Sequence, residues 1–211
     1  NICCFFVKTP KIRHVWKTSL QFFEKRVIIK IRKKSERRGI KNGGESVFQV
    51  GDYIVYGSNG ICRVEEITHP DIAGSTPDKL YYVLVPEKTR DSRLFCPTDN
   101  NRVVLRSVIT AEEAKALLEE VKEIEPLKIQ SERQRDDTYK KAMKSCDLRQ
   151  CVQMIKALLI RKEEREANGK KVTVTDERYM KLAEDGLYSE LALAMGIDRD
   201  EIKEKFLDYC K

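Results

Sequence analysis

The hydrophobic period of this chain changes once, near residue 108, and that change limits its fold more than any other feature. Before it, apolar residues come in short alternating or continuous runs separated by turn residues. After it, they recur every three or four positions. Tyr53-Ile54-Val55-Tyr56 reads as a strand, and Gly57-Ser58-Asn59-Gly60 as the turn that follows. Ile61–Ile67 is a second strand with an apolar–polar beat, and Pro70–Asp78, with two prolines and a glycine, is a loop. Leu80–Val85 is nearly continuous in apolar residues, which predicts a central strand stopped by Pro86. Arg93–Cys96, stopped by Pro97, and Val103–Leu105 complete a set of five.

Thr110 and Glu113 form a capping box, and Ala114, Leu117, Leu118, Val121 and Ile124 follow at helical spacing as far as Pro126. A second helix is predicted over Ser131–Ser145. A third is predicted from the stripe Leu148, Cys151, Val152, Ile155, Leu158 and Leu159, with Gly169 beyond its end. Thr175-Asp176-Glu177 reads as the cap of a fourth, which Gly186 breaks before Leu187–Met195, and Asp198 caps a last short helix. The fold class is therefore α+β. A small SH3- or Tudor-like β-barrel spans residues 47–108, a connecting helix 109–126, and an all-α helical bundle 127–211.

Charge is unevenly placed. The net charge is +7, but residues 1–46 carry thirteen Lys/Arg against Glu24, Glu36 and Glu45, a balance of +10, so the other 165 residues stand at −3. The first Met is Met143. Gly43-Gly44 can be encoded GGA-GGA, a bacterial ribosome-binding sequence, two codons ahead of Val47, and GUG is an alternative start codon. Residues 1–46 are therefore expected to be untranslated leader and Val47 the start; the other reading is a basic arm for an anionic partner.

Several functions find no support. No stretch approaches a membrane span of roughly 18 apolar residues. The cysteines Cys3, Cys4, Cys62, Cys96, Cys146, Cys151 and Cys210 contain no Cys-x-x-Cys pair, and the histidines are His14 and His69 alone, so neither a metal nor a cofactor is expected. From Cys62 onward the cysteines read as reduced core fillers. His69 has no nearby candidate nucleophile, and there is no phosphate loop, His-Glu-x-x-His helix or Gly-x-Ser-x-Gly elbow; the chain reads as no enzyme. Residues 131–171 sum to +5 between a segment at −5 (47–126) and one at −4 (176–211). The cations are Arg133, Arg135, Lys140, Lys141, Lys144, Arg149, Lys156, Arg161, Lys162, Arg165, Lys170 and Lys171. They read either as a phosphate-facing surface or as a solvated face laced with Glu163, Glu164 and Glu166.

Phe48–Tyr56 (FQVGDYIVY) followed by Gly60–Ile67 (GICRVEEI) resembles the opening of the CarD/CdnL family of bacterial transcription regulators, a module shared with the transcription-repair coupling factor. Leu80–Leu84 and Leu94–Pro97 continue the likeness, as do Tyr139-Lys140, Ser145–Asp147, Arg161-Lys162 and Ser189–Ala194 in the helical half. The resemblance implies a cytoplasmic monomer whose barrel docks on the RNA polymerase β subunit through an exposed strand edge. The matching positions are Ile67, Thr68, His69, Pro70 and Ile72, with Arg93 and Phe95 on a neighbouring strand. It also implies that the helical half lies on promoter DNA and stabilises the open complex without reading sequence. That reading assigns the phosphate contacts to the basic zone; an adaptor that binds polymerase alone is the alternative. The Trp that the family inserts beside the bubble has no counterpart in Leu127–Arg135, since the one Trp is Trp16.

Overall fold

A computed structural model describes residues 48–69, 79–89 and 91–210. The expected leader, residues 1–46, the expected start at Val47, and Pro70 and Ile72 of the expected docking segment lie outside the described residues. Strand β1 (Tyr53–Tyr56) turns through one 3-10 turn, Gly57–Asn59, into the antiparallel strand β2 (Ile61–Thr68). The turn demands glycine at its first position. Gly57 has φ +49°, and a Cβ there would lie 2.5 Å from Val103 Cγ1. Strand β3 (Tyr81–Pro86) pairs with β2, β4 (Leu94–Pro97) pairs with β3, and β5 (Leu105–Ser107) returns to β1. The order is β4-β3-β2-β1-β5. β3 has a strand on each side, as its apolar run predicts, but the middle place belongs to β2. At eight residues β2 is long enough to pair with β1 at its start and with β3 along its length.

The fifth strand lies two residues later than predicted. Asn100 captures the valines instead: its Oδ1 accepts from the amides of Arg102 and Val103, and its Nδ2 donates to the Val103 carbonyl at 2.7 Å. That side-chain turn competes with strand pairing and leaves Val103 and Val104 exposed. Asp52 closes the other end of the sheet. Its carboxylate accepts from Gln49 N at 2.7 Å and its carbonyl from Val64 N at 2.9 Å. Phe48 stacks edge-on against Tyr82, and with Ile54, Cys62, Val64, Leu84 and Cys96 it forms the sheet's own core.

Helix α1 (Ala111–Glu120) starts from the predicted capping box, in which Thr110 and Glu113 exchange bonds of 2.7 and 3.2 Å. Helices α2 (Arg135–Ser145), α3 (Leu148–Ala167), α4 (Val174–Met195) and α5 (Arg199–Cys210) follow. The segment 109–126, expected as a connector, is built into the helical core through Ala114, Leu117, Leu118, Val121 and Ile124. The architecture is the predicted α+β one, a small Tudor-like antiparallel sheet followed by helices.

Gly186 does not break α4, contrary to expectation. A helical glycine costs about 1 kcal/mol, whereas burying Leu187 and Leu191 beyond it contributes about 1.5–3 kcal/mol each. The cap of this helix is Thr173, not Thr175: its Oγ1 accepts from Asp176 N at 3.1 Å. Burial pushes the Cys62 thiol up to about 11 and the Cys151 thiol up to about 12, which keeps both neutral and unreactive.

Candidate functional surfaces

An antiparallel ladder alternates hydrogen-bonded and open residue pairs, so one bond fixes the direction of every amide along an edge strand. Thr98 N–H donates to the Leu80 carbonyl at 3.0 Å, one position beyond the Tyr81–Pro97 pair. The pairs Tyr82–Cys96 and Leu84–Leu94 are then the bonded ones, and the amide and carbonyl of Phe95 point away from β3. No described strand lies beyond β4. Among the described residues Phe95 thus presents an unpaired donor and acceptor at the sheet border, and the residue is 37% exposed. Pro97, of the same parity, has no N–H, and its carbonyl already accepts from Asn100 N at 3.0 Å, which limits how far a partner strand can pair.

The docking segment expected at Ile67 and Thr68 is different. Ile67 pairs with Tyr82 and Thr68 with Tyr81 on one side, while β1 pairs only with Ile61–Arg63, so the other side of Ile67 and Thr68 has no strand partner among the described residues. Arg93 and Phe95 are not on the adjacent strand but one strand further out, at β4. Arg93 nevertheless reaches back across β3, where its Nε lies 2.7 Å from Glu65 at the β2 bulge. His69 is exposed just after β2.

The basic zone separates into two populations. Arg135 and Arg161 belong to a four-charge cluster that ties the starts of α2 and α4 to the middle of α3. Arg161 donates to both Glu132 oxygens at 2.5 and 2.9 Å and to Asp176 Oδ2 at 3.0 Å. Arg135 reaches Glu132 at 2.6 Å and Asp176 at 3.5 Å. Asp176 is 3% exposed in its side chain and Arg161 20%, so these charges hold the bundle together. Lys156 caps α1, donating to the carbonyls of Val121 and, at 2.8 Å, Ile124. Arg165 Nε donates to the Lys171 carbonyl at 2.8 Å. Arg149 pairs with Glu120, Lys140 with Asp136 at 2.5 Å, and Lys162 with Glu166 at 4.0 Å.

Arg133, Lys141, Lys144, Lys170 and Lys171 are exposed, with no carboxylate partner among the described residues. Lys141 and Lys144 lie three residues apart on α2, and Lys170 and Lys171 in the loop between α3 and α4. Leu127 and Ile129, at the start of the helical half, are partly buried against its core, and Leu127 N donates to Gln153 O at 2.9 Å.

Sequence reasoning missed Arg106 on β5 and Glu190 on α4, which join the sheet to the helices. A signal was present: Glu190 is a lone carboxylate on the apolar face that carries Ala183, Leu187 and Leu191. Among the described residues no cluster could hold a metal ion, and no helix is long and apolar enough to cross a membrane.

Two family models match the chain, adjoining at residue 109. The model of the CarD-like/TRCF RID domain covers residues 48–109, and that of the CarD C-terminal domain covers residues 109–207. No curated protein matches the chain.

Proposed function

The chain belongs to the CarD-like family of RNA polymerase-interacting transcription regulators, and from that premise we propose that it joins the polymerase β subunit to promoter DNA and prolongs the open complex. The outward amide and carbonyl of Phe95 carry the polymerase half of this reading. A strand of the β subunit adds to β4, with backbone hydrogen bonds at Phe95 and apolar contact against its ring. The DNA half rests on the unpartnered cations Arg133, Lys141, Lys144, Lys170 and Lys171, which suit phosphate contact without base readout. An adaptor that binds polymerase alone is the second reading. It is favoured by the burial of Arg135, Arg161 and Lys156 in structural roles, which shrinks the apparent basic surface.

Phe95→Pro tests the polymerase half. The lost N–H faces outward, so the sheet should keep its fold, while affinity for the isolated β subunit falls about tenfold, the equivalent of one hydrogen bond of ~1.4 kcal/mol. Phe95→Ala keeps the amide and separates the ring's contribution. A Phe95→Pro protein that folds and binds β as tightly as the Ala variant would place docking elsewhere.

A further inference from the structure

Arg106 hydrogen-bonds to both α2 and α4 from the sheet. Its Nη1 and Nη2 meet the two Glu190 oxygens at 2.5 and 2.8 Å, a bidentate fork onto α4. Its Nε and Nη2 donate to the Cys146 carbonyl at 3.0 and 2.8 Å. Cys146 ends α2 in the left-handed conformation, φ 53°, so this guanidinium satisfies a carbonyl at the C-terminus of the helix that carries Lys141 and Lys144. Glu190, 2% exposed, completes the knot by accepting from Ile109 N at 3.2 Å, where the chain leaves the sheet.

A half-open cleft of about 150 Å³ lies beside this knot, lined by Val55 and Ile61 of the sheet and Met143, Leu148, Cys151 and Leu182 of the helices. Apolar packing with such a gap does not by itself select one relative orientation; a planar fork with fixed donor directions does. A buried ion pair adds little net stability over an apolar pair of the same shape, so its contribution is directional. Outside it, Lys88 and the partly buried Asp185 add a pair at 3.1 Å.

We infer that Arg106 and Glu190 are positioning residues that lock the DNA-facing helices at one angle to the polymerase-docking sheet. This rests on the function proposed above. Two weak attachments made by one rigid body reinforce each other only while their spacing matches the target, and a swivelling joint forfeits that gain.

The test uses the full chain with Arg106→Met and Glu190→Leu together, which leaves no lone buried charge, and Arg106→Lys as a second variant that keeps the charge but loses the fork. Residual dipolar couplings report whether sheet and helices share one alignment tensor. The lifetime of heparin-challenged polymerase–promoter complexes reports function. The wild type is expected to fit one tensor and to lengthen the lifetime. The double variant is expected to bind the isolated β subunit unchanged, to need two tensors, and to lose about tenfold of the lifetime gain. Arg106→Lys is expected to lie between, and it decides the matter by the same two readouts if the double variant does not fold. A single tensor in the variant overturns the lock. So does a split tensor with an undiminished lifetime. No lifetime gain from the wild type would instead sink the proposed function, and the couplings would still judge the lock.

Discussion

Arg161 and Lys171 carry the same charge in opposite surroundings. Arg161 sits between Glu132 and the buried Asp176, whereas Lys171 projects from a loop with no acidic partner among the described residues. Arg161→Ala leaves Asp176 with the Thr173 hydroxyl at 2.7 Å and, as its one cation, the longer Arg135 pairing, and it should cost about 2–3 kcal/mol, read as a lower urea midpoint. Lys170→Ala with Lys171→Ala should stay within ~0.5 kcal/mol of wild type. The same cluster sets an acid limit. Hydrogen bonding from Arg161 holds the Glu132 carboxyl below its usual range, and Lys140 followed by Tyr179 does so for Asp136. A lowered folded pKa contributes stability that is fully present above the unfolded value, about 4, and is lost as pH falls through the folded one. The urea midpoint should therefore hold down to about pH 5 and drop below about pH 4, less steeply in Arg161→Ala. An equal slope in both proteins would remove Glu132 from that account.

At the scale of elements, two glycines that look alike in the sequence behave in opposite ways. Gly186 lies inside α4 with open space where a Cβ would go, so Gly186→Ala should stabilise by ~0.5–1 kcal/mol. Gly57→Ala must adopt a left-handed φ and push against Val103, and it should destabilise by more than ~1 kcal/mol. Paired thermal melts of the two variants check both signs. Neither sign follows from sequence, because a glycine announces freedom without saying whether the fold uses it. The strands β1 to β4 and the capping box of α1 were legible, since each rests on local period and turn chemistry. The sheet border was not. Which strand lies outermost depends on pairing order, and that order adds an open edge at Phe95 of β4 to the one expected at Ile67–Thr68, where β2 runs past the end of its pairing with β1. The roles of Arg135, Lys156 and Arg161 were hidden for the same reason, as their partners Asp176, Val121 and Ile124 lie far away in sequence.

At the scale of the molecule, the proposed DNA contact would have to be made by residues 47–211, whose net charge is −3. Lys141 and Lys144 share one flank of α2, and the four-charge cluster ties the start of that helix to α3 and α4. Among the described residues a free duplex would meet only a handful of unpartnered cations, and the half-buried Leu127 and Ile129 would offer it no exposed apolar wedge. Intrinsic DNA affinity should accordingly be weak and steeply salt-dependent, and it should matter once polymerase holds the sheet nearby and raises the local concentration of DNA. Lys141→Ala with Lys144→Ala should lower the slope of log affinity against log salt by about 0.9 for each phosphate no longer neutralised, equally on unrelated sequences. The complex to titrate is the one on polymerase, with open-complex lifetime followed across a salt series. Lys140 serves as the internal control: its charge is already engaged by Asp136, so Lys140→Ala should change the slope less. If the slope and the lifetime are indifferent to all three lysines and to Lys170 with Lys171, the protein holds polymerase without touching DNA, and the adaptor reading replaces the one proposed.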